Sequence, residues 1–108
     1  MKPITVLLRY KGTGDAARRF AEEMESSGTV ALIRAEEGNL RYEYFLPMND
    51  PESVLLVDSW CDQTAIDAHH ASPMMATILE LREKYGLTVM AERYVGDELP
   101  ERDAGYIR

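Results

Sequence analysis

One imidazole, on the inward face of a predicted helix, is the side chain of this sequence best suited to move a proton. His69 shares its helix face with Ala65 and Ile66, so its ring points inward with them, and an imidazole titrates near neutrality. In a dry pocket it is a general base; satisfied by a hydrogen bond alone, it is a packing residue. His70 lies about 100° further round the helix and faces solvent. Successive helical histidines cannot grip one metal ion, and no carboxylate or cysteine stands at ligand spacing beside them, so no metal site is expected. Trp60 closes an apolar run, where it walls a pocket, offers its indole N–H to a substrate carbonyl, or packs in the core. Tyr42 and Tyr44 share one strand face and can orient a ring, although aromatic residues are favoured in strands in any case. Arg9 and Arg93 can stabilise an enolate or phenolate, or pair with Glu43 or Glu92.

A second constellation is a decoy. Gly12-Thr13-Gly14 with Ala17, between a strand and a helix, satisfies a relaxed dinucleotide fingerprint, and Glu36 falls near the distance of a ribose-binding acid. A dinucleotide fold needs further strand–helix units, whereas this chain continues into a hairpin and ends. The glycines make a turn.

The elements that position these residues follow from periodicity. Ile4, Val6, Leu8 and Tyr10 alternate with Thr5, Leu7, Arg9 and Lys11, the pattern of a strand over residues 3–11. Asp15 caps a helix whose apolar positions 16, 17, 20, 21 and 24 recur at helical spacing, with Arg18 and Arg19 on its solvent side. Residues 30–34 lack a decisive period and are read as a short helix. Leu40, Tyr42, Tyr44 and Leu46 form a second strand and Val54 to Trp60 a third, joined as a hairpin through Asn49-Asp50-Pro51-Glu52. Asp62 opens a helix through His70, and Ser72-Pro73 starts another with Met74, Met75, Ile78, Leu79 and Tyr85 as its buried stripe. Gly86 stops it, and Leu87 to Tyr94 is the last strand. The order is the ferredoxin-like βαββαβ arrangement: an α+β fold with an antiparallel four-stranded sheet. Residues 1–95 form the domain. The tail 96–108, with Leu99, Tyr106 and Ile107, is apolar enough to lie across a partner subunit, and a second copy would cover the sheet face without helices.

The bulk numbers exclude several classes. At 108 residues there is one core, and no apolar run approaches the roughly 20 residues of a membrane span. The first apolar stretch is too short and too soon charged for a signal peptide, and the single Cys61, read as half-buried beside Trp60, suits a reducing compartment; the expected location is cytoplasmic. A net charge of −7 disfavours nucleic acid as a partner.

The stretch Glu37-Gly38-Asn39-Leu40-Arg41-Tyr42-Glu43, the strand end Asp58-Ser59-Trp60, and Ala65-Ile66-Asp67-Ala68-His69 to Ser72-Pro73 resemble the antibiotic-biosynthesis monooxygenase pattern. In words it reads E-x-G-x-x-x-Y-E, then W, then A-h-x-x-H-x-x-S-P with h apolar, and it covers roughly residues 2 to 95. The resemblance implies a homodimeric α+β barrel, the two sheets face to face, with a pocket between sheet and helices in each subunit. It implies, for some members, oxygenation of a small reduced aromatic or quinol by O2 without flavin, haem or metal, so no cofactor is expected. His69 would be the catalytic base, and Trp60, Tyr44 and Tyr42 would bind substrate. Met74 stands where many members have a second histidine. Leu7, His69 and Leu79 stand where the haem-degrading branch carries an asparagine, a tryptophan and an iron-ligating histidine, which speaks against haem degradation. Non-catalytic ligand binding and acid–base isomerisation are the alternatives on the same fold.

Overall fold

The structure, a computed structural model, describes residues 2–107; Met1 and Arg108, the outer ends of the expected domain and tail, lie outside the described residues. Its elements run β1 (Ile4–Lys11), α1 (Ala16–Ser26), α2 (Thr29–Arg34), β2 (Asn39–Phe45), β3 (Ser53–Trp60), α3 (Gln63–His70), α4 (Pro73–Lys84) and β4 (Thr88–Val95), with a 3₁₀ turn at Glu101–Tyr106. The sheet order is β2-β3-β1-β4 and every neighbouring pair is antiparallel, the ferredoxin-like topology expected from the element order.

Alternation decides which side of the sheet each residue serves. Tyr10 on β1, Tyr42 and Tyr44 on β2, and Val54, Leu56 and Trp60 on β3 point to the helices. There they meet Ala17, Phe20, Ala21 and Met24 of α1, the face that helical spacing predicts, and Val30 and Ile33 of α2. The segment 30–34 is therefore helical: Gly28 at φ 82° turns the chain between the two helices, a left-handed conformation a side chain would strain.

A bulge tunes the register beside the site. Asn39 pairs with Trp60 but Arg41 with Ser59, so Leu40 is the extra residue, and the slip brings Tyr42 opposite Asp58 and Tyr44 opposite Leu56. Directly paired residues share a sheet face, so both tyrosines stay on the helix side.

Three local expectations are corrected. Asp15 and Ser72 stand at helix N-caps without a side-chain capping bond; the Ser72 hydroxyl donates instead to the His69 carbonyl at 2.7 Å, tying α4 to the end of α3. On α4 the buried residues are Ile78 and Leu81, whereas Leu79, about 100° round from Ile78, is 49% exposed. Arg9 bonds Asp50 at 3.3 Å rather than Glu43, because β3 lies between β1 and β2 in the sheet; Glu43 bonds Arg41 on its own strand. Asp62 does cap α3, accepting from the Ala65 N–H at 2.9 Å.

Candidate active site

The candidate site is assembled by α3, the end of β3, the middle of β2 and the turn between α2 and β2. On α3, Ala65, Ile66 and His69 are the buried residues while His70 is exposed, so the helix delivers one imidazole to the interior. His69 is 3% exposed and stacks on Trp60, ring centroids 4.8 Å apart and planes inclined by 29°. Its Nδ1 lies 2.7 Å from Glu36 Oε1. Tyr42 stands edge-on to the imidazole at 6.3 Å, and Tyr44 edge-on to Tyr42 at 5.9 Å. The four residues expected to form the site, His69, Trp60, Tyr42 and Tyr44, thus make one continuous row of rings.

Two further residues join them. Glu36 hydrogen-bonds His69 from the turn before β2. Spacing pointed to it only as the acid of the dinucleotide decoy, although the first letter of the E-x-G pattern falls on it. Asp58 faces the helices two residues before Trp60 and accepts the indole N–H at 2.5 Å, so this N–H is engaged within the protein. An aspartate in an apolar strand carries no signal of its own; its clue is the position i−2 to a buried tryptophan whose N–H needs an acceptor. Burial pushes the Asp58 carboxyl from 3.8 up to about 6, against the opposing pull of the indole N–H and of His69. The phenols of Tyr42 and Tyr44 are raised well above their ordinary value, chiefly by burial, and the Tyr44 hydroxyl is buried with no hydrogen-bond partner. Among the described residues, no three His, Cys, Asp or Glu side chains converge as metal ligands.

A cavity opens at the far end of the row. An open cavity of about 560 Å³ runs between α1 and the β2–β3 hairpin, lined by Ala21, Tyr44, Phe45, Leu46 and Val54, with Arg18, Glu22 and Glu25 at its rim. That volume lies in the range of small-molecule sites. Tyr44 is thus a cavity wall, Tyr42 stands one ring deeper, and His69 with Trp60 lies behind Tyr42, enclosed by side chains. Cys61 is half-buried beside Trp60 as expected, and its N–H donates to the Gly38 carbonyl at 2.8 Å.

Comparison with known proteins gives the family. No curated protein matches the chain by sequence. Among solved structures, a candidate antibiotic biosynthesis monooxygenase from Deinococcus radiodurans is similar at 16% identity and a TM-score of 0.76, over 91% of this chain and 96% of that one. SnoaB, a cofactor-independent oxygenase from Streptomyces nogalater, is similar at 16% identity and a TM-score of 0.71, over 94% of this chain and 99% of its own. A protein from Mycobacterium tuberculosis reaches 25% identity and a TM-score of 0.65, over 92% and 97% of the two chains. The family model "Antibiotic biosynthesis monooxygenase" matches residues 3–81, which include all six residues of the ring-and-carboxylate cluster, and the chain belongs to that family.

Proposed function

We propose that the protein is a cofactor-independent monooxygenase that oxidises a small reduced aromatic or quinol with O2, His69 acting as base and Trp60, Tyr42 and Tyr44 binding the ring. The observation that carries this reading is the placement of His69: a buried imidazole stacked on Trp60 and bonded through Nδ1 to a carboxylate. An imidazole so held takes a proton from a quinol hydroxyl once a movement of Tyr42, which separates it from the cavity, admits the substrate. The quinol anion passes one electron to O2, the superoxide and substrate radical combine at a ring C–H carbon, and the peroxide loses water. Quinol plus O2 then gives hydroxyquinone plus H2O, and no outside reductant enters. Family membership and the likeness of fold to an oxygenase that works without a cofactor support the same reading.

The active form is a homodimer joined through the sheet face that bears no helices. On that face Phe45, Met90 and Tyr94 are 39%, 72% and 53% exposed beside Leu7, Leu55 and Val57, an apolar field of the kind a partner covers. The tail would lie on the second subunit: Leu99, Tyr106 and Ile107 are all exposed, and its 3₁₀ turn buries no residue against its own domain.

The enclosure of His69 favours a second reading, a binding module in which an apolar ligand fills the cavity at Tyr44 and His69 only packs. Oxygen uptake with a panel of quinols and anthrones separates the two. A monooxygenase consumes O2 in proportion to substrate without added flavin or metal, and His69→Ala loses about 10²–10⁴-fold in rate. Thermal stabilisation by the same compounds with no oxygen uptake marks the binding module. A His69→Ala variant that turns over every accepted substrate at the parental rate removes the proposed role of the histidine.

A further inference from the structure

We infer that Glu36 is the positioning residue of His69, fixing the imidazole as the tautomer that carries its proton on Nδ1 and leaves Nε2 unprotonated. The inference rests on the reading of His69 as base and adds the group that makes it one. With the Glu36 carboxylate as acceptor, the 2.7 Å contact from its Oε1 to Nδ1 places the proton on Nδ1. No hydrogen bond among the described residues involves Nε2. The two side chains are 4% and 14% exposed, so water competes little for the bond. Trp60 restrains the same ring from its face, leaving the imidazole one plane and one edge.

The backbone aims the carboxylate. The Glu36 N–H donates to the Ile33 carbonyl at 3.0 Å and its own carbonyl accepts from Asn39 at 3.1 Å, which closes the turn on both sides. Gly38 then clamps that turn onto α3: its carbonyl accepts from Cys61, and a Cβ there would stand 2.6 Å from Ala65 Cβ. The turn that carries Glu36 and the helix that carries His69 are in contact because residue 38 has no side chain.

The other titratable neighbours do not take this role. His70, on the same helix, has its ring centroid 5.8 Å away and is exposed. Asp58, from β3, spends an oxygen on the Trp60 N–H. Tyr42, from β2, presents an aromatic ring rather than a charge. When His69 takes a proton from substrate, Glu36 is the carboxylate bonded to the imidazolium, the part that aspartate plays in a Ser-His-Asp triad.

The test is Glu36→Gln in the full chain. A glutamine can turn its amide N–H₂ toward Nδ1 and so move the imidazole proton to Nε2, disarming the base without emptying the site. We expect kcat with an accepted quinol to fall roughly 10²–10⁴-fold with KM within a few-fold of the parent. In ¹⁵N spectra of the ring, the parent should show the Nδ1–H tautomer at neutral pH and the variant should lose it. The spectrum is read without substrate, so it decides the role of Glu36 even if no compound is oxidised, which would count against the monooxygenase reading alone. A parent imidazole protonated on Nε2, or a Glu36→Gln variant with the parental tautomer and kcat, overturns the inference. Should the variant fail to fold, the parent spectrum still decides.

Discussion

Replacing Asp58 with asparagine should change the stability of this protein by an amount that depends on pH, because its carboxyl is among the most costly charges in the fold. The side chain is 8% exposed and its pKa stands at about 6 against an ordinary 3.8, burial being the first cause. The indole N–H of Trp60, His69 and His70 favour the ionised form, Glu36 opposes it, and burial wins. At 1.36 kcal/mol per tenfold change in proton affinity, the difference is worth about 3 kcal/mol. The sign follows from proton counting. Below 3.8 the carboxyl is neutral in both folded and unfolded chains and costs nothing. Between 3.8 and 6 the folded chain holds a proton that the unfolded chain has released, so stability falls as pH rises; above 6 the cost is complete. Asparagine keeps an oxygen to accept the Trp60 N–H and never ionises, while any penalty from its amide N–H₂ is the same at every pH. Urea unfolding of parent and Asp58→Asn between about pH 3 and pH 8 isolates the term: the variant-minus-parent stability should rise by about 3 kcal/mol across that range. A difference that stays flat, or falls, would refute a costly buried charge at this position.

The remaining predictions concern the frame around the site. Gly38→Ala combines φ 84° with a Cβ 2.6 Å from Ala65 Cβ and 2.8 Å from Cys61 Sγ, so thermal unfolding should show a loss of about 2–4 kcal/mol and a weakened Glu36–His69 contact. Asp50 behaves oppositely to Asp58. Its carboxyl is held down at about 2 by the Ser53 hydroxyl, then by Lys11, so Asp50→Ala should be less stable than the parent above pH 3.8, with the gap closing as acid titration passes through 2. Leu55→Lys places a charge on the open sheet face, and light scattering after size exclusion should report a monomer if that face joins two copies.

How much of this was legible in the sequence depends on the range of the interaction. Elements set by local period were readable: the alternation of β1, the apolar stripe of α1, the Asp62 cap and the inward pointing of His69 all appear in the structure. The segment 30–34 has no decisive period of its own, and its helical form comes with the Gly28 turn that docks it on α1. Leu79 was misplaced because α4 turns toward the core through Ile78 and Leu81, a choice made by packing rather than by the helix's own period. Which acid an arginine meets was not readable either, since Arg9 and Asp50 are 41 residues apart and meet only once the hairpin is built.

A different argument separates the halves of the candidate site. His69, Trp60, Tyr42 and Tyr44 are readable as ring-bearing residues on inward faces, because face is a local property. Glu36 and Asp58 are polar residues whose meaning is their partner, and the partners lie 33 residues away for Glu36 and only two for Asp58. Sequence distance is therefore not what hides them. Glu36 sits in a turn, where an acid is unremarked; Asp58 sits in a strand otherwise apolar on its inner face, where it lowers the stability of the fold. Each reaches one ring of the Trp60–His69 stack, Glu36 through Nδ1 of the imidazole and Asp58 through Nε1 of the indole. Packing alone would be better served by apolar groups at both edges, since a buried ion pair or lone carboxylate seldom repays its desolvation. The stack is thus bracketed by two carboxylates, and the one on the indole, Asp58, is held there at a cost in stability.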